Sequence, residues 1–145
     1  MDGVVESLLD HLSRTERDEL SRLPERDLRI LLELFPVLAI AKPELGSMRP
    51  LGDFDAVTES EKAAAISKLL VAVAKSFTIV FVIHDLHHGD QDGAVLLAKV
   101  LSHKTLSRIC AVLTVKSDGV HVAESVRVFD EVLASHGRKT IAISA

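Results

Sequence analysis

The spacing of apolar residues changes period along the 145-residue chain. In "ERDLRILLELF", Leu28, Leu31, Leu32 and Phe35 fall on one helical face, and Pro24 is suited to be the first helical residue. Ser13 with Glu16, and Thr58 with Glu61, have the S/T-x-x-E spacing of a capping box. After the second box, Ile66, Leu69, Leu70 and Val73 trace i, i+3, i+4, i+7, predicting an amphipathic helix. "PVLAIAKPELGSMRPLGDFD" lies between these segments, holding three of the four prolines and two glycines. That composition predicts a connector interrupting regular structure.

From Phe77 the pattern shortens. "FTIVFVI" and "ICAVLTV" read as strands apolar on both faces, each followed by a helix: "DGAVLLAKVLSH" after the first and "HVAESVRVFDEVLASHG" after the second. Val122, Val126, Phe129 and Leu133 form one stripe of the latter, and Gly137 is a suitable stop. "TIAIS" reads as a closing strand. Alternating strands and helices predict an α/β fold: a parallel sheet with right-handed crossovers and flanking helices, preceded by a helical N-terminal segment.

Composition narrows the function. Hydrophobic residues make up 48% of the chain and charged residues 26%, proportions that support folding as one domain. A net charge of −4 gives no general reason to expect nucleic-acid or anionic-membrane binding, and the lack of Tyr and Trp removes the usual stacking platforms. Arg22, Arg26 and Arg29 could form a basic stripe, but Asp18 and Glu25 each precede an arginine by four residues, favouring a salt-bridged, solvated face. The N-terminus carries no basic leader followed by a long apolar region, and no apolar run approaches spanning length; the expectation is an intracellular, soluble protein. The lone Cys110 cannot form an internal disulfide or a cysteine zinc cluster.

The chemistry-bearing residues gather where the first strand ends, in "HDLHHGDQDG". Open parallel sheets bind ligands beyond the carboxyl ends of their strands, which singles out His84 and Asp85. A capping or loop-bracing carboxylate is the plainer reading of Asp85, and both stand at this stage. His84, Asp85, His87, His88, Asp90 and Asp92 also offer metal donors. A hydrolase-type H-x-H-x-D-H aligned on His88 and Asp90, however, meets Leu86 and Gln91 where histidines are required.

The segment "FVIHDLHHGDQDGAVLLAKVL" resembles the second acidic motif of P-loop ATPases of the STAND and AAA type: four apolar residues, Asp-Asp, Leu, His or Gln, Trp, Ala, Asp. Asp85, Leu86, His87 and Asp90 follow that pattern, as does the apolar register of the next helix. "LLELFPVLAIAKPELG" and "ICAVLTVKSDGV" are similar, more weakly, to segments flanking the motif in the large ATPases of signalling proteins. The resemblance implies a partial P-loop NTPase-like sheet: a helical segment and connector over 1–57, and an α/β portion with the acidic motif over 58–145. It also implies ATP and Mg²⁺ as cofactors. Asp85 would take the catalytic, water-positioning place; His84 would take the place of the magnesium-holding carboxylate, while His87 and Lys116 would lie on the nucleotide side.

Two departures shape that expectation. His84 offers nitrogen where Mg²⁺ prefers anionic oxygen. No G-x-x-x-x-G-K-[ST] occurs, so the backbone amides and lysine that cradle phosphates are missing. "HGRKTIAIS" is no substitute, because it precedes a strand instead of following one. The chain alone is therefore expected not to hydrolyse ATP. It reads as a degenerate or truncated module of a signalling or regulatory protein, its sheet to be completed by a protein partner or a further N-terminal portion. A non-catalytic interaction scaffold is the main alternative, and a metal-binding domain the lesser one.

Overall fold

Helix α1, Glu25–Leu34, starts directly after Pro24, whose extended ψ of 140° keeps it outside the helix as N-cap. Its carbonyl still accepts the first intrahelical bond, from Leu28 N–H at 3.1 Å. Pro24 thus stands one position earlier than predicted, because its extended backbone marks the cap and not the first turn. The computed structural model describes residues 22–41, 43–75, 78–88, 91–103, 108–115 and 124–133. The Ser13–Glu16 box, Phe77, Lys116, Val122, Gly137 and the "TIAIS" segment lie outside the described residues.

The proline-rich connector is more regular than its composition predicts. It contains a short helix α2, Val37–Ala41, and a 3-10 turn, Leu45–Ser47. Pro36 immediately precedes α2, where its lack of an N–H costs no helical bond, and Pro43 follows beyond its end. Proline here delimits short helices instead of abolishing them.

Helix α3, Glu59–Ala74, opens on the predicted capping box. Thr58 Oγ1 accepts from Glu61 N–H at 3.2 Å, and Glu61 Oε2 accepts from Thr58 N–H at 2.9 Å. Ile66, Leu69, Leu70 and Val73 are buried, as are Leu28, Ile30, Leu31 and Phe35 of the α1 segment. Two ion pairs join α1 to α3: Arg26 to Glu61 at 2.7 Å and Lys68 to the buried Asp27 at 2.6 Å. Arg29 pairs with Glu25 within α1, so the arginine face is salt-bridged at Arg26 and Arg29.

Met1–Phe77 and Thr78–Ala145 form two compact units, and all elements above belong to the first. In the second, β1, Ile79–Ile83, pairs in parallel with β2, Ile109–Leu113, in the register Ile79↔Ile109 through Ile83↔Leu113. Helix α4, Gln91–Leu101, connects the strands, and α5, Glu124–Leu133, follows β2. The described part is mixed helix and strand, with a small parallel sheet and flanking helices.

Leu97 and Ala98 of α4 pack with Val126 and Phe129 of α5 in one buried cluster, against which Ile83 and Leu113 rest. Ile79 and Phe81 share the face of Ile83 and are buried. The opposite face differs from the expectation that both would be covered: Val80 and Val82 are each 56% exposed and Val112 49%. Apolar side chains on both faces state that a strand tolerates burial twice; they do not supply a second layer to bury it.

Candidate functional site

Where β1 ends, the chain leaves the sheet through His84 and Asp85, both exposed, and enters a 3-10 turn, Leu86–His88. Leu86 is buried in the α4–α5 cluster and so anchors the turn, while Asp85 before it is exposed. Sequence alternation alone would not have separated Leu86 from the polar residues around it. The cluster it joins is built from the next two helices.

Asp85 adopts φ 55°, the left-handed region. A residue with a Cβ pays about 1–2 kcal/mol there, with Asp and Asn the most tolerant apart from Gly. This strained conformation is held from the end of β2. Asp85 N–H donates to Thr114 Oγ1 at 3.0 Å. Leu86 N–H donates to the Thr114 carbonyl at 3.0 Å, and Thr114 N–H donates to the Ile83 carbonyl at 2.9 Å. His88 N–H closes the turn on the Asp85 carbonyl at 2.8 Å. Thr114 therefore engages the β1 exit at three residues, Ile83, Asp85 and Leu86, with its N–H, its hydroxyl and its C=O respectively.

His84 and Asp85 thus lie where the sequence places them, beside the carboxyl ends of two parallel strands. His87 belongs to the same turn by its backbone. His88 is exposed at the end of that turn, and Asp92 is exposed in the first turn of α4. Lys116 and Asp90 lie outside the described residues. Thr114 was missed by sequence reasoning. The available signal was a hydroxyl directly following an apolar strand, at the same carboxyl edge as Asp85.

Among the described residues, no group of three or more His, Cys, Asp or Glu side chains is placed to hold a metal ion. The donor set fits magnesium triphosphate poorly on chemical grounds. It pairs one carboxylate, Asp85, with one imidazole, His84, and the sequence supplies no phosphate-cradling loop.

Comparison with family models, with curated proteins and with solved structures finds no match. Among the described residues, no helix is long and apolar enough to cross a membrane.

Proposed function

We propose that this chain is an ATPase-like module of the STAND and AAA type that has kept the acidic strand end but lost nucleotide turnover, and that it acts through association with another polypeptide segment. The observation that carries this reading is Asp85, an exposed carboxylate in a left-handed conformation at the carboxyl end of a parallel strand. Functional carboxylates concentrate at that edge of open α/β sheets, and strained backbone concentrates at functional sites. The apolar-strand, acidic-residue, helix sequence from residue 80 to 97 supports the ATPase likeness.

His84 and the absent G-x-x-x-x-G-K-[ST] set the limit on turnover. Transfer of a phosphoryl group relies on positioning and charge stabilisation by amides, a lysine and magnesium, and few of these parts are encoded here. Isothermal titration of the purified chain with Mg-ATP, run beside a phosphate-release assay, tests the reading. The expected result is no binding tighter than about 0.1 mM and no release above buffer. Stoichiometric micromolar binding by the chain alone would overturn it. A G-x-x-x-x-G-K-[ST] encoded upstream in the same reading frame would place the missing cradle on the same polypeptide.

The scaffold reading draws on a separate observation, the exposed Val80, Val82 and Val112 on one face of a parallel sheet. Parallel sheets are normally covered on both faces, so this face is suited to a further apolar layer. On either reading the module works by what it joins.

A further inference from the structure

We infer that Thr114 is a positioning residue for Asp85: its side chain, 29 positions away in sequence, stabilises the left-handed turn that presents the carboxylate at the sheet edge. The inference rests on the reading of Asp85 as the functional carboxylate, and extends it to a residue with no acidic or nucleophilic character of its own.

The geometry divides Thr114 into two separable parts. Its main chain makes the bonds that continue the parallel ladder past the strands, accepting from Leu86 N–H at 3.0 Å and donating to the Ile83 carbonyl at 2.9 Å. Any non-proline residue can make those bonds. Its hydroxyl alone accepts from Asp85 N–H, at 3.0 Å. That amide belongs to the peptide plane entering Asp85, and the Leu86 N–H bond to the Thr114 carbonyl holds the plane leaving it, so the hydroxyl and the carbonyl together fix the turn about the Asp85 Cα, and without the hydroxyl one of the two planes is released. Threonine suits the position twice over, being β-branched for the end of a strand and carrying an acceptor oxygen on the short arm that reaches the neighbouring strand's exit.

The main-chain bonds survive any of the three substitutions tested, so the hydroxyl's effect can be read separately from strand pairing. Thr114→Ser retains the acceptor, Thr114→Val keeps the shape without it, and Thr114→Ala removes both. Backbone NMR of the full chain would follow the strong intraresidue HN–Hα NOE that positive φ gives Asp85, together with amide exchange at Asp85. Wild type and Thr114→Ser should show the NOE and slowed exchange. In Thr114→Val and Thr114→Ala the NOE should weaken and exchange quicken about tenfold at Asp85, while the Thr114-position amide stays protected. Unchanged Asp85 signals in the valine and alanine variants would overturn the inference, as would an unprotected Asp85 amide in wild type. The wild-type measurement decides even where a variant fails to fold. Tight Mg-ATP binding would sink the non-hydrolysing reading without altering these signals, so the two failures are distinguishable.

Discussion

At the scale of single residues, the left-handed Asp85 makes a prediction opposite in sign to the usual effect of glycine. Glycine within a regular strand or helix costs about 0.5–1 kcal/mol, but at φ 55° it relieves the Cβ strain and recovers roughly that amount. Asp85→Gly should therefore leave urea stability within about 0.5 kcal/mol of wild type or raise it, whereas Asp85→Val should lose about 2 kcal/mol or more. Asp27 gives the contrasting case. Its carboxylate is buried and meets Lys68 Nζ at 2.6 Å, with the lysine side chain 48% exposed. Lys68→Met strands the carboxylate, while Asp27→Asn removes the charge that needs a partner. The first should cost about 1–3 kcal/mol and the second less, a difference readable in paired urea melts. The place of Asp85 was legible in sequence because an apolar run ends there. The role of Thr114 was not, since it acts through an amide whose neighbourhood exists only once the two strands lie side by side.

At the scale of elements, the start of α3 was the most legible feature, because a capping box is a local bargain between residues three apart. Thr58→Ala should cost about 1 kcal/mol by removing the acceptor of the Glu61 N–H bond, with guanidinium denaturation as the measure. Glu61 adds a pH dependence. Its carboxyl is held below the ordinary glutamate value first by the Thr58 main-chain N–H, then by the Arg26 guanidinium and the Thr58 hydroxyl. Because the folded value is the lower one, this contribution is complete above about pH 4.3, the usual glutamate value, and is lost as pH falls through the folded value. Glu61→Gln should accordingly be less stable than wild type at about pH 7, with the difference shrinking as the pH falls through the folded value, as paired urea midpoints would show. The helices α2 and the 3-10 turn were not legible, since proline density marks the limits of short helices as readily as their absence. Pro24 moved by one position for a similar reason: sequence shows that proline belongs at a helix start, and only ψ decides on which side of it.

At the scale of the whole molecule, sequence supplied the parallel pairing of β1 and β2 and the helix that joins them, because strand, helix, strand in succession leaves few other arrangements. It did not supply the asymmetry of the sheet. Ile79, Phe81 and Ile83 alternate with Val80 and Val82, and both sets are equally apolar, so hydrophobicity carries no label for the covered face. The label comes from α4 and α5, whose Leu97, Ala98, Val126 and Phe129 close on one another and on Ile83 and Leu113. This asymmetry has a direct energetic consequence. Phe81 is 8% exposed, and Phe81→Ala should cost about 3–5 kcal/mol through lost burial and the cavity it leaves. Val82 and Val112 are cross-strand partners about half exposed, so Val82→Thr and Val112→Thr keep the β-branched shape and put a hydroxyl where water already reaches. Each should fall within about 0.5 kcal/mol of wild type in urea denaturation. A loss of about 2 kcal/mol or more in both threonine variants would mean that a second layer covers these valines in solution, and the sheet would then be two-sided, as the strand sequences alone predict.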